Sequence, residues 1–569
     1  MSVTRGDTGV TVSVKGLTLG DGTRHGIGTM RRSLSVVVLF SFIAAAAAAQ
    51  VSEVIEVRVV EVEVVVVDGH GQPVRGLTRE DFELREGGKP REITNFYAVD
   101  RGQLLREPQT ETAKGAPPPE PPLPAPPTHI VFFVDNDHLE LRQRNRVLAA
   151  LRRFVEANVK EGVDASLVTY DHDAKVRVPF TDDRSRIIAA IDDMEHEPAR
   201  MIEHISERRT LIRRIDQSAP EVKRPTEEPD QLWHAVMTYA ESQGREIENS
   251  VLAVSDALKR LRGAPGRKVF VHVSSGLPLQ PGLEMMDYWR QTFHADPGMA
   301  NMAGLQVEKS NSFKRMIADA NASGITIDTI DASGLNDFEG SSEMESTGSA
   351  RLDSNLMRDN RRQPLKLIAE ETGGRSIVNE SDFDRALLQI GADTTTYYSL
   401  GFHGDGGAGL RNVDVRVKRP GLTVRTAKAY RDRTAEERIR DAVESAFDFP
   451  FEANPLGITL ATGAPHEDAG GFAVPLTVTV TPSKVVALPE PAGHVAHIRC
   501  YYEVRDGGGG SSALRVVDQN LTMDERQGPR QLTRVAGIRL RRGKYTISLA
   551  VRDLTTNETS YAQRAIEIP

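Results

Sequence analysis

Five consecutive apolar residues, Ile130–Val134, run directly into Asp135, Asn136, Asp137 and His138. A run this short and this uniformly apolar reads as a strand buried on both faces, the kind found at the centre of a parallel sheet. The next stretch, Leu139–Val159, places Leu141, Val147, Leu148, Leu151 and Val155 on one side of a helix. Buried strand, acidic turn and amphipathic helix together open an α/β domain. In such domains ligands sit at the carboxyl ends of the strands, which makes Asp135 and Asp137 the first candidate site residues.

The pattern then repeats. Ala165–Tyr170 is strand-like and stops at Asp171-His172-Asp173, and Lys175–Phe180 follows after a tight turn. Asp182–Met194 has helical spacing, and Glu195–Ile215 is expected to continue as a charged, exposed helix. A loop holding Pro220, Pro225 and Pro229 leads into a long helix, Gln231–Leu261. Val269–Val273 and Ile325–Ile330 are further buried strands, closed by Ser274-Ser275-Gly276 and by Asp331, with a helix at Phe313–Ala322. Asn336–Arg362, rich in Ser, Gly, Asp and Glu, is expected to be a mobile insertion. Leu365–Thr372, Ser376–Val378 and Phe383–Ala392 supply a last helix, strand and helix. Such alternation predicts a doubly wound, mostly parallel sheet. Asp171, Asp173 and Asp331 are then expected on the rim that carries Asp135.

The flanks have a different texture. Val51–Asp68 alternates Val with Glu and Arg, and residues 50–104 read as a small β module. Residues 105–128 are a proline-rich linker, stiff and extended. Residues 404–433 hold further strands able to complete the amino-terminal module. Neither group has enough strands to close a core alone, so the strands of 51–100 and 395–430 are expected to share one sandwich, with the α/β domain (129–403) inserted between them. Residues 434–454 read as a helical linker and 455–569 as a second β-sandwich. Gly507–Gly510 is a hairpin loop and no phosphate cradle, since no helix with a Lys-Ser/Thr pair follows it.

At the amino end, Met30-Arg31-Arg32, an apolar core from Leu34 to Ile43, and small residues up to Ala49 have the order of a secretory signal peptide spanning 30–49. An uncleaved anchor is the alternative, and residues 1–29 read as an over-extended start. No other stretch approaches the roughly 20 apolar residues of a membrane span. The mature protein is therefore expected to be exported, periplasmic or secreted, with no membrane span after signal cleavage. A formal net charge of −9 over 569 residues argues against nucleic acid as a partner. The single cysteine, Cys500, excludes an intrachain disulfide and a cysteine metal cluster.

Several phrases are more specific than the strand–helix pattern: Val134-Asp135 closing the first strand, Val178-Pro179-Phe180-Thr181-Asp182 ending the hairpin, Gly266-Arg267-Lys268 before the fourth strand, and Ile330-Asp331 ending the fifth. Leu77-Thr78 with Asp81-Phe82 upstream, and Tyr398-Ser399-Leu400-Gly401-Phe402 downstream, extend them. In these phrases residues 129–403 resemble a von Willebrand factor type A domain, of the exported subgroup called VWFA-related in acidobacterial genomes. The resemblance implies a site for Mg²⁺ or another divalent cation, written Asp-x-Ser-x-Ser and completed by a Thr and an Asp from later loops. Such a cation takes oxygen ligands and keeps one position for a partner's carboxylate. Carried over, Asp135 matches the first Asp, Asp137 stands where the first Ser belongs, and Leu139 replaces the second Ser. Asp230 aligns with the Thr position and Ser275 with the last Asp. One of five positions keeps its family residue.

Two readings of the metal site follow: a rearranged cation site built from Asp135, Asp137 and Asp230 with Ser275, or a degenerate site in a domain that binds partners without metal. No catalytic or cofactor-binding residue is assigned. Ser275 lies in Ser-Ser-Gly and not in a Gly-x-Ser-x-Gly elbow, which disfavours a triad with Asp135 and His172. His138, His234 and His272 lack His-Glu-x-x-His spacing. Met285, Met286, Tyr288 and Trp289 form an apolar cluster that is either a contact patch or core. The expectation is a non-enzymatic adhesion or scaffold protein with a protein partner. The alternative is a metal-dependent hydrolase working on the acidic strand-end rim.

Overall fold

The computed structural model describes residues 11–13, 59–106, 125–139, 141–197, 201–220, 222–333, 354–405, 407, 409–449, 451, 453–468, 470–491, 493–523 and 536–569. The signal segment, nearly all of 1–29, most of the proline-rich linker, residues 51–58 and the 334–353 part of the expected insertion lie outside the described residues.

Six strands build the central sheet: β1 (Thr128–Asp135), β2 (Val163–Asp171), β3 (Asp173–Thr181), β4 (Arg267–Ser274), β5 (Ile325–Asp331) and β6 (Ser376–Ile377). They run in the order β6-β5-β4-β1-β2-β3, all parallel except the β3 edge, which returns antiparallel to β2. The helices are α1 (Leu141–Asn158), α2 (Arg184–Glu195), α3 (Met201–Asp216), α4 (Pro229–Leu261), α5 (Leu283–Phe293), α6 (Pro297–Val307), α7 (Ser310–Ser323), α8 (Ser354–Thr372), α9 (Phe383–Thr395) and α10 (Ala435–Ser445). Every residue of β1 is buried. Because side chains alternate along a strand, Ile130, Phe132 and Val134 meet α1, α2 and α9 on one side. Val131 and Phe133 meet α4 and α7 on the other. This is an α/β, doubly wound, mostly parallel sheet, flanked by β-sandwich modules.

Two expectations fail locally. Glu195–Ile215 is not one helix: α2 ends at Glu195 and α3 begins at Met201. Pro198 lies between them in sequence and lacks the N–H a helix needs. Nor is α3 merely a solvated surface, because Leu211, Ile212 and Ile215 are buried. The expected mobile insertion gives way to α8 from Ser354 onward, where Asn360 and Arg362 are buried. Composition marks such a segment as polar but cannot show that its polar groups find partners: Asn360 bonds the backbone of Gln280, and Arg362 pairs with Asp331.

α3, the first half of α4, α5 and α6 enclose a separate core that includes Ile215, Leu232, Val236, Met285, Met286, Tyr288 and Trp289. The Met285–Trp289 cluster is thus core. α3 touches the turn at Asn136–His138, and α5 follows the end of β4, so this helical cap stands at the carboxyl ends of the strands.

On the flank, Tyr397–His403 lies between Val59–Val67 and Ile93–Asp100 in one sheet, with Thr423–Arg425 and Gln103–Arg106 at its margins. Leu410–Val417 pairs with Phe82–Glu86 in a second sheet. The two sheets share a core that includes Val62, Val64, Leu84, Leu400, Phe402 and Val415. Strands from before and after the α/β domain therefore interleave. The described strands between Thr459 and Ile568 form a further pair of antiparallel sheets around a core that includes Val474, Val478, Cys500 and Val551. Thr11–Ser13 pairs with Gly537–Arg539 at the margin of one of them. Among the described residues no helix is long and apolar enough to cross a membrane.

Candidate functional site

β1 and β4 are neighbours from which the sheet grows in opposite directions, the switch point where open α/β sheets leave a crevice at the strand ends. Asp135 closes β1 there and is fully buried. A single 3₁₀ turn, Asn136–His138, folds the chain back on it. His138 Nδ1 comes to 2.9 Å from both carboxylate oxygens of Asp135. From β4, Ser274 Oγ donates to Asp135 Oδ2 at 3.1 Å and accepts the Gly276 N–H at 3.2 Å. Burial alone would raise the Asp135 carboxyl, but the charge and hydrogen bond of His138, helped by the Ser274 hydroxyl, outweigh it and hold it below its ordinary range. Burial likewise opposes charge on His138, and Asp135, Asp137 and Glu246 of α4 overcome it, so this imidazole is raised. His272 behaves oppositely: burial pushes it down to about 4, leaving a neutral ring against Phe133.

Asp137 turns toward β2. Its Oδ2 accepts the His172 N–H at 2.6 Å, and His172 Nδ1 lies 3.1 Å away. His172 adopts φ 58°, the left-handed conformation of a tight hairpin corner. Burial raises the Asp137 carboxyl, and its Oδ1 is buried with no hydrogen-bond partner among the described residues. Asn136 ties this turn to the next strand. Its amide donates to Asp171 Oδ1 at 2.7 Å, and its carbonyl accepts Arg144 Nη1 at 2.7 Å. Arg177 lies 3.6 Å from Asp171 and grips Glu197 through both Nη atoms at 2.8 Å.

The structure brings Asp135, Asp137 and Asp171 to one end of the sheet, as their strand-end positions predict. Asp173 is on the same corner but exposed. Asp331 ends β5 fully buried, bound by Arg362 and by the N–H of Ser333 at 3.0 Å. Ser275 is close in sequence but bonds elsewhere, to Gln143 Oε1 at 3.0 Å; Ser274 is the hydroxyl on Asp135. Asp230 is exposed in the first turn of α4. The α4 residue whose charge reaches His138 is Glu246, sixteen residues and about 24 Å further along the helix. Alignment placed Asp230 by order in the chain, and the length of α4 carries it out of the cluster. Sequence reasoning missed Ser274 and Gln143, and set His138 and His272 aside for lacking metal-ligand spacing. Only His138 carried a local signal, its three-residue spacing from Asp135.

The residues do not fit a Mg²⁺ ion. Such an ion takes about six oxygens in near-octahedral geometry, several of them waters, and needs one or two open carboxylates from the protein. Both Asp135 oxygens face His138, Leu139 is buried and has no side-chain oxygen to offer, and Asp137 Oδ1 is one uncommitted oxygen. Among the described residues no three His, Cys, Asp or Glu side chains gather in a metal-holding group.

Beside this corner a groove of about 490 Å³ runs between β3 and α4, lined by Tyr170, His172, Asp173, Val176, Leu252 and Arg260 among others.

No family model and no curated protein matches the sequence. Among solved structures, the chain is similar to a von Willebrand factor type A protein from Catenulispora acidiphila, with 8% identity, a TM-score of 0.23, and 85% of this chain and 72% of that one covered. It is also similar to three N-terminal domains of the type V pili tip protein Mfa5 from Porphyromonas gingivalis (11%, 0.26, 86% and 100%). A third is an aerotolerance-related membrane protein from Bacteroides fragilis (11%, 0.24, 47% and 98%). With scores this low, strand order and side chains of the chain itself carry the reading of the site.

Proposed function

We propose that the chain is an exported, non-enzymatic adhesion or scaffold protein, in which the α/β domain and its helical cap hold a protein partner. The observation that supports this most is the closure of the strand ends. Asp135, Asn136, Asp137, Ser274 and Ser275 are each less than a tenth exposed, and the carboxylates already face partners within the chain. A hydrolase working on this rim would need an open carboxylate and room for water and substrate beside it. Export rests on the signal-like order of residues 30–49, and the compartment is periplasmic or secreted. The acidic balance of the chain supports protein over nucleic acid as the partner.

Photo-crosslinkers placed in living cells at Leu252, Met302 and Leu388, which are 62%, 62% and 66% exposed on three different helices, test this reading. The expected result is one exported protein recovered repeatedly from one of these faces and competed away by purified chain. Absence of any such adduct would overturn it. So would turnover of an ester or phosphoester panel that Asp135→Asn abolishes, which would install the hydrolase in its place.

A further inference from the structure

We infer that His138 is a built-in replacement for the divalent cation, and that the strand-end site of this chain stays metal-free because an imidazole already occupies both oxygens of Asp135. Three separate features carry this. His138 Nδ1 is equidistant, at 2.9 Å, from Asp135 Oδ1 and Oδ2, so the imidazole faces both oxygens of that carboxylate. Ser274 Oγ, 3.1 Å from Oδ2, closes another approach with a hydroxyl that also holds the Gly276 N–H, so it is not free to turn toward a metal. Leu139, next in the chain and fully buried in the core shared by α1 and the sheet, offers no side-chain oxygen to this point.

A buried carboxylate needs partners, and here a ring nitrogen from the same turn and a hydroxyl from β4 supply them without an ion from solvent. Asn136 is bonded to Arg144 and Asp171, and Asp137 Oδ2 is bonded to the backbone of His172, so moving either side chain toward Asp135 would break the hairpin corner; Asp137 Oδ1 stays uncommitted among the described residues. The inference stands whether or not a protein partner is found.

Calorimetric titration of the mature chain with Mg²⁺, Mn²⁺ and Ca²⁺ tests it, beside His138→Ala, His138→Asn and Asp135→Ala. The native chain is expected to show no saturable binding, and both His138 variants are expected to bind at least one of the three ions at least tenfold more tightly than native. One equivalent of metal bound by the native chain, and lost in Asp135→Ala, overturns the inference. So do folded His138 variants that stay silent, since something other than the imidazole would then exclude the ion. Emission from Trp233 and Trp289, packed 4.7 Å apart in the cap, reports whether the variants are folded. If neither His138 variant folds, the native titration decides alone: silence supports the inference and a saturable site overturns it.

Discussion

The central sheet carries two clusters of buried charge, and they are built on opposite plans. At the strand ends, Asp135, Asp137 and His138 come from one turn, and their partners reach in from the adjoining strands. Where the sheet meets the amino-terminal sandwich, the partners come from both modules. Arg375 holds Asp393 through Nε at 2.9 Å and Nη2 at 3.1 Å, and donates to the carbonyl of Gly71 at 3.0 Å. Arg425, from the sandwich, reaches the same Asp393 at 2.5 Å. Arg267 pairs with Glu63 at 2.6 Å above the Tyr397 ring, its guanidinium 4.3 Å from the ring centroid. The first cluster neutralises a turn. The second joins two modules, because removing any member leaves a charge stranded between them. Burial alone does not tell a self-neutralised turn from an interdomain clamp; whether the partners belong to one module or two does.

The strongest way to break this comparison is Arg375→Met. It strips Asp393 of a two-point partner and leaves the Gly71 carbonyl without its donor, so stability should fall by about 3–5 kcal/mol. Denaturant unfolding measures it, and a loss below about 1 kcal/mol would mean the clamp is ornamental.

Asp328 sharpens the same side through pH. It is buried, and burial together with the neighbouring Asp393 raises its carboxyl to about 6, against the N–H of Arg375 that bonds it. Between its ordinary value near 4 and about 6, the folded chain holds a proton that the unfolded chain has lost, so this group's contribution falls as pH rises through that window. Asp328→Asn should therefore stabilise the protein at pH 8 by up to about 3 kcal/mol, with the gain gone by about pH 4. Melting curves at both pH values check it, and a pH-independent difference would refute the assignment.

At the strand ends the effects should be smaller. Ser274→Ala removes one hydrogen bond to a charged group and should cost about 1–2 kcal/mol, read by the same unfolding experiment. The smallest effect belongs to Asp230→Ala, which should stay within about 0.5 kcal/mol as an exposed change outside the cluster. A larger loss, or any change in cation titration, would return Asp230 to the site.

Much of the fold was legible because its cues are local. The uniform apolar run of β1, the turn at Asp171-His172-Asp173 and the spacing of α1 each report their own surroundings. Asp135 and Asp137 could be placed at a strand end for the same reason. The Ser275 and Asp230 assignments failed because they depended on how later loops return to β1. One residue of offset gave the bond to Ser274, and the length of α4 removed Asp230. The interleaving of strands 59–100 with 397–431 was open to inference, since neither group has enough strands to close a core.

By itself, then, the sequence determined the strands of the central sheet and the helix after the first of them, that the first strand is central, and that acidic residues end it. Periodicity and apolar run length act over a few residues and survive any arrangement of the rest. Only the tertiary structure decided that the acidic end is shut: that Arg362 reaches Asp331, that Asn136 links Arg144 to Asp171, and that four helices stand over the strand ends around a core of their own. Those outcomes depend on which side chains meet across tens or hundreds of residues. A buried charge takes whichever partner the packing brings within hydrogen-bonding distance.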